Sequence, residues 1–186
     1  MNLTLDGYHS GPTCELDWHF ERWSPEMGKV MTEQLSTADT ILLGRITYQA
    51  MAAYWPSVII NMSYPLENIA FARMMNEYRK IVFSTTLKKP SWNNSTLIRK
   101  NVADEVTLLK KQCGRNLILY GSGKLASTLI AKNLVDEYVL WLHPVVLGEG
   151  KRLFSLLATQ MSLNLINTRT FHNGVVLLHY RSFENS

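Results

Sequence analysis

The chain has 186 residues, 46% hydrophobic and 18% charged, with 19 Lys+Arg against 15 Asp+Glu. That supply of apolar side chains builds one substantial core, fitting one domain or at most two intimately packed halves, and excludes a disordered, collagen-like or coiled-coil chain. No apolar run approaches the roughly 20 residues a bilayer-spanning helix needs, so a soluble protein without a membrane partner is expected.

The net charge of +4 is unevenly spread, because residues 1–38 hold six acids against two bases and the whole basic surplus falls in residues 39–186. Such a body suits an anionic partner: a phosphorylated metabolite, a dinucleotide or nucleic acid. Cys14 and Cys113 stand far apart with no CxxC spacing, which predicts reduced thiols rather than a disulfide framework or a thiolate zinc site. The residues after Met1 carry neither a basic n-region nor an apolar h-region, so a cytoplasmic location is expected.

In chain order, residues 3–5 read as a short strand stopped by the turn Asp6-Gly7. A loop rich in Gly, Pro and aromatic residues runs to Trp23. Ser24-Pro25 then opens a helix whose apolar stripe is Met27, Val30, Met31 and Leu35. Residues 40–43 form an aliphatic strand ending at Gly44, and residues 47–54 a helix with Tyr48, Met51 and Ala52. Trp55-Pro56 reads as the start of a loop, followed by a helix over residues 66–78.

Residues 81–83 are a buried strand running into Ser84-Thr85-Thr86, and residues 96–98 a short strand. A helix over residues 102–113 has Asn101 as cap, Asp104 and Glu105 in its first turn, Lys110 and Lys111 in its last, and Gly114 as terminator. Residues 116–120 are a strand, Gly121-Ser122-Gly123 a tight turn and residues 124–132 a helix. Residues 137–143 form a strand, and residues 163–181 two strands around Asn173-Gly174, the dipeptide favoured in two-residue hairpins. Strand–helix alternation followed by a hairpin predicts a single α/β domain over residues 1–186, its sheet mostly parallel with an antiparallel edge.

Two strand-to-helix turns carry chemistry. At Gly121-Ser122-Gly123 the glycines allow a tight turn whose exposed N–H groups, at the positive end of a helix dipole, suit a phosphate; the bland alternative is a plain βα turn. A Walker A loop is excluded because the position five before Gly123 is Ile118. Gly121, Gly123 and Ala126 satisfy G-x-G-x-x-A, but the next strand ends in His143-Pro144 rather than in an acid that could hold a ribose, so a Rossmann site is not indicated.

At Gly44-Arg45-Ile46-Thr47 a guanidinium and a hydroxyl flank the second turn, against the alternative of a surface Arg beside a helix cap. Two such turns favour a dinucleotide. Ser84, Thr85 and Thr86, with Lys88 and Lys89 behind them, supply hydroxyls and charge where open α/β sheets bind ligands, or are simply a polar loop.

The five histidines lack paired metal spacing, and no metal is expected. Ser122 has no G-x-S-x-G surroundings, and the short Lys pairs are no recognition stripe, which argues against a hydrolase elbow and against nucleic acid. Asp17-Trp18 sets a carboxylate beside an apolar wall, suited to anchoring a substrate or transferring a proton; otherwise Asp17 is a solvated acid.

Taken in order, Thr4-Leu5-Asp6-Gly7, Ala38-Asp39-Thr40-Ile41-Leu42-Leu43-Gly44-Arg45-Ile46-Thr47-Tyr48, Lys80-Ile81-Val82-Phe83-Ser84-Thr85-Thr86-Leu87, Tyr120-Gly121-Ser122-Gly123, Leu134-Val135-Asp136-Glu137-Tyr138 and His143-Pro144-Val145-Val146-Leu147-Gly148-Glu149-Gly150-Lys151 resemble the dihydrofolate-reductase-like family typified by the reductase domain of riboflavin biosynthesis. The resemblance spans nearly the whole chain. It implies a mixed, mostly parallel sheet with flanking helices and a C-terminal antiparallel hairpin, NADPH as cofactor, a small-molecule substrate, and a homodimer.

It also implies that Gly44, Arg45 and Thr47 form the pyrophosphate-side turn. Ser84, Thr85 and Thr86 correspond to the adenosine phosphate side, and Gly121, Ser122 and Gly123 to the second phosphate turn. Asp6, Asp17 and Trp18 fall near the transferred hydride, with Asp17 the catalytic candidate and Asp6 and Trp18 substrate-binding. The first strand is shorter than the family's, and the deaminase domain of the bifunctional riboflavin enzymes has no counterpart, so a stand-alone reductase need not act on the riboflavin intermediate. The expected activity is an NADPH-dependent hydride transfer to a heterocyclic or carbonyl compound, with a non-catalytic, regulatory dinucleotide-binding module as the alternative.

Overall fold

The computed structural model describes residues 1–60 and 66–183. Its elements are β1 (Asn2–Thr4), β2 (Tyr8–Ser10), α1 (Asp17–Phe20), α2 (Pro25–Ser36), β3 (Ala38–Gly44), α3 (Arg45–Ile60), α4 (Leu66–Glu77), β4 (Arg79–Phe83), β5 (Ser95–Ile98), α5 (Val102–Lys110), β6 (Asn116–Gly121), α6 (Gly123–Ala131), β7 (Glu137–His143), β8 (Lys151–Arg152), β9 (Leu163–Thr170) and β10 (Val176–Ser182). The chain divides into two compact units, one of Met1–Ser24 with Ala126–Ser186 and one of Pro25–Leu125. The α/β class, a parallel ladder and a C-terminal antiparallel pair all agree with the sequence reading.

The Pro25–Leu125 unit is built on a parallel sheet of order β5-β4-β3-β6. β3 lies in the interior of this sheet and is buried at six of its seven residues, the continuous apolar run expected where helices cover both faces of a parallel sheet. Leu35 of α2, Ile41 and Leu43 of β3, Tyr48 of α3, Phe71 and Met75 of α4, Val82 of β4 and Trp92 form one buried cluster.

Within that cluster the Tyr48 hydroxyl accepts the Trp92 backbone N–H at 2.8 Å, and the Trp92 indole donates to Asn76 Oδ1 at 2.7 Å. Lys80 is fully buried, yet its ammonium donates to the carbonyls of Met75, Asn76 and Tyr78 at 2.8–2.9 Å and lies 4.6 Å from the Trp92 ring centre. It thereby satisfies carbonyls at the end of α4 that have no helical partner.

The other unit carries a mixed sheet of order β1-β7-β10-β9, with β1 parallel to β7 and the remaining pairs antiparallel, and a two-stranded β2-β8 ribbon. Trp141 stacks on Phe171 with ring centres 5.4 Å apart. β9 is the edge strand and is exposed over nearly its whole length.

Several local expectations are corrected. Trp55-Pro56 does not open a loop, because α3 runs through Pro56 to Ile60. Packing of Trp55 on Phe71, ring centres 4.9 Å apart, and full burial of Val58 offset the lost helical hydrogen bond. The loop expected beyond falls partly on residues 61–65, outside the described residues. Asn101 does precede α5, but with φ +53° and no side-chain cap; its carbonyl accepts from Glu105 N at 3.0 Å instead. α5 ends at Lys110, short of the predicted 113, so Gly114 does not terminate it.

The aromatic loop to Trp23 contains β2 and α1, both too short for a periodic signal. The C-terminal reversal is wider than a two-residue hairpin. Phe171 N donates to Val175 O at 2.9 Å and Gly174, at φ +83°, sits inside that closure.

Candidate functional site

The parallel register of the Pro25–Leu125 unit gathers the three sequence candidates at one edge of its sheet. Gly44 pairs with Phe83, and Leu43 with Gly121, so Gly44-Arg45, Ser84-Thr85-Thr86 and Ser122-Gly123 all leave the same, C-terminal ends of β3, β4 and β6. That edge is where open α/β sheets take ligands.

The two glycine turns also touch. A Cβ on Gly44 would lie 2.6 Å from Ser122 Oγ and 3.0 Å from Ser122 N, and one on Gly121, which has φ +130°, would lie 3.1 Å from Thr47 Oγ1. Only glycine permits that approach at 44, and Gly121 adopts a backbone that side chains disfavour. The Gly121–Ser122 peptide is cis.

The turns launch α3 at Arg45 and α6 at Gly123, so two helix N-termini, each with N–H groups free of intrahelical partners, open beside each other. Arg45 is exposed and reaches Gln49 Oε1 at 2.9 Å, a weak surface contact that leaves its guanidinium able to turn to an anion. Ser84 Oγ accepts the N–H groups of Thr86 and Leu87 at 3.1 and 2.9 Å, folding that loop into a side-chain turn. Beside Gly121, the Tyr120 hydroxyl is buried without a hydrogen-bond partner, and burial drives its pKa upward, so it stays protonated.

The other unit holds the remaining candidates. Asp6 accepts from Thr4 Oγ1 at 2.6 Å, from Leu147 N at 3.1 Å and from Gly148 N at 2.8 Å. The Thr4 hydroxyl, helped by the backbone donors of Gly148 and Leu147 and opposed by desolvation, holds its carboxyl below the usual range. Both oxygens are engaged in tying the Leu5-Asp6-Gly7 turn to the loop after β7. Asp17 is exposed in the first turn of α1.

Trp18 sits among groups that carry no linear pattern and that the sequence reading passed over. Its ring centre lies 5.2 Å from that of His143 and 5.5 Å from that of His19, with His19 and His143 6.1 Å apart. Both imidazoles are pushed down by burial, His143 to about 4, so both are neutral at pH 7. Trp18 and His19 come from α1 and His143 from the end of β7, and no local spacing announces their contact.

The sequence model of the RibD C-terminal domain matches residues 1–177. The uncharacterized protein YyaP of Bacillus subtilis (strain 168) is 39% identical over 180 residues, 97% of this chain and 91% of that protein. In fold, the chain resembles a candidate riboflavin biosynthesis protein of Shewanella sp. PV-4, with TM-score 0.72 at 20% identity over 99% of this chain and 97% of that one. It also resembles a dihydrofolate reductase from Enterococcus faecalis complexed with NADP(H), with TM-score 0.63 at 14% identity over 98% and 94% of the two chains. The match over 1–177 and the extent of identity to YyaP place the chain in the RibD C-terminal domain family, with a fold shared by dihydrofolate reductase.

Proposed function

We propose that this chain is an NADPH-dependent reductase that passes a hydride to a small heterocyclic or carbonyl substrate. The observation that carries the reading is the approach of Gly44 to Ser122, which brings two glycine turns and two helix N-termini together at the C-terminal edge of one parallel sheet. Among the described residues this is the arrangement best suited to two linked phosphates.

In this reading the N–H groups at the starts of α3 and α6 bind the pyrophosphate, with Arg45 and the hydroxyls of Thr47 and Ser122 beside them. Ser84, Thr85 and Thr86 take the adenosine-side phosphate. NADPH, when bound, supplies the hydride; the protein supplies position and charge. Asp17 and Trp18 are the substrate-side residues, and Asp6 positions the turn that precedes them. A cytoplasmic homodimer belongs to the same reading, and the exposed edge strand β9 offers a surface for the second copy. The second reading, a dinucleotide-binding module without turnover, is supported by one feature: Asp6 is held by the turn it marks, which leaves exposed Asp17 as the one acid of the pair offered for proton transfer.

Titration with NADPH, followed by tryptophan fluorescence, tests the cofactor site. Arg45→Ala should weaken binding about tenfold, the loss of one charge-assisted contact. No binding at millimolar NADPH overturns both readings. Binding without loss of NADPH across a screen of carbonyl and heterocyclic acceptors overturns the first and leaves the second.

A further inference from the structure

Three buried polar atoms without hydrogen-bond partners fall within one cluster of touching rings: Trp18 Nε1, His19 Nδ1 and His143 Nδ1. His19 is 8% exposed and His143 1%, and the atoms themselves are closed off from solvent. A buried polar group left unpaired costs about 1–3 kcal/mol, so three in one cluster are an expensive arrangement unless a ligand pairs them.

The chemistry of the missing partner follows from the groups present. His143 Nε2 lies 3.0 Å from Asn2 Oδ1, and a carboxamide oxygen only accepts, so Nε2 carries the ring proton. In the neutral ring Nδ1 is then a lone-pair acceptor in need of a donor. Trp18 Nε1 can only donate and needs an acceptor.

Burial keeps His143 neutral, and the nearby His19 and Arg22 work in the same direction. His19 is neutral through burial too, although Asp17 pulls the other way. An anion would meet the lone pair of His143 and find only neutral N–H donors, while a cation would face Trp18 N–H. Neither is matched.

We propose that Trp18, His19 and His143 form a neutral receptor for an uncharged group that both donates and accepts a hydrogen bond, as an amide or alcohol does, and that this is the end of the substrate the protein reads. The group donates to His143 Nδ1 and accepts from Trp18 Nε1–H, with His19 Nδ1 completing the ring of contacts. Carboxylates and phosphates are disfavoured here, because the three rings are neutral and the nearby cation, Arg22, is exposed to solvent rather than buried with them. The proposal deepens the reductase reading and rests on it only in calling the ligand a substrate.

The test uses the full chain, labelled with 15N, without cofactor. Long-range imidazole spectra should find His143 neutral and protonated on Nε2. Acetamide should move the Trp18 indole and His143 Nδ1 resonances saturably, while acetate at the same concentration leaves them in place. The His143→Phe variant should weaken the acetamide response of Trp18 at least about tenfold, the size of one lost hydrogen bond; if it does not fold, the wild-type contrast between acetamide and acetate decides alone. His143 protonated on Nδ1, no saturable response to acetamide, or an equal response to acetate overturns the proposal. NADPH added to the same sample reads the glycine turns separately, so failure here leaves the cofactor reading standing, and the reverse.

Discussion

Substituting Gly44 by Ala tests the approach of the two turns with a single methyl group. Gly44 does not sit in the left-handed region, so the new residue meets no backbone penalty of its own, and any effect comes from its neighbours. The methyl would stand 2.6 Å from Ser122 Oγ and 3.0 Å from Ser122 N. The first contact can be relieved by rotating one short side chain. The second is main chain, and the Gly121–Gly123 turn must move by a few tenths of an ångström to clear it.

Overpacking of this kind costs about 1–3 kcal/mol. Folded domains hold roughly 5–15 kcal/mol in reserve, so the variant folds and its midpoint in urea falls. Because the displaced atoms are the proposed phosphate donors, NADPH affinity should drop about tenfold or more, the equivalent of 1.4 kcal/mol.

Adding Ser122→Gly to Gly44→Ala removes the 2.6 Å clash and leaves the 3.0 Å one, so the pair should recover part of the stability, whereas the lost Ser122 hydroxyl keeps the affinity low. Urea unfolding and fluorescence titration on the four proteins of this cycle provide the measurement. Unchanged stability in Gly44→Ala would refute the close approach itself. Lowered stability with unchanged NADPH affinity would refute the assignment of the turns to the cofactor.

The remaining expectations concern single groups inside each unit, His143 and Asp6 in one and Lys80 in the other. His143 titrates near 4 when folded against an ordinary 6.5, so the unfolded chain binds the proton more tightly between those values and stability is lost as pH falls from about 6.5 to 4. At about 1.4 kcal/mol per unit this amounts to roughly 3 kcal/mol, and the stability difference between wild type and His143→Phe should shift by that order between pH 7 and pH 4; a constant difference would contradict the buried neutral ring.

Lys80→Met leaves the carbonyls of Met75, Asn76 and Tyr78 without their donor and should lower the unfolding free energy by about 2–4 kcal/mol, measured in urea; an unaffected midpoint would show that the ammonium is dispensable. In Asp6→Asn one side-chain oxygen replaces two, and amide exchange at Leu147 and Gly148 should accelerate selectively. Uniform protection in that variant would mean the carboxylate does not tie the loop.

Much of the fold was legible because it is written in local patterns. The strand over residues 137–143 and the helix opened by Pro25 follow from a β-rich run and a proline-led apolar stripe, and both stand where they were expected. Pro56 misled because its cost is local whereas the gain, Trp55 against Phe71 and the burial of Val58, comes from elsewhere in the chain. The glycine turns could be read individually. Their contact could not, since it depends on β3 and β6 lying side by side in a particular register. The histidines were opaque for the same reason: His19 and His143 are distant in sequence and meet only in the folded chain, where α1 lies against the end of β7. Asp6 illustrates the converse, a motif residue whose carboxylate turns out to be occupied by the turn it marks.

The edge strand β9 sets a constraint on how the protein can be handled. It ends the order β1-β7-β10-β9, presents Leu165 at 55% and Ile166 at 44% exposure, and carries Arg169 as its one charged residue. A row of main-chain donors and acceptors beside uncharged, β-prone side chains is a template for further strands, and a single charge near one end is thin protection. The same eight-residue segment is where strand addition by a second copy would occur, so a lysine introduced at Ile166 opposes both the proposed dimer and further association through this edge.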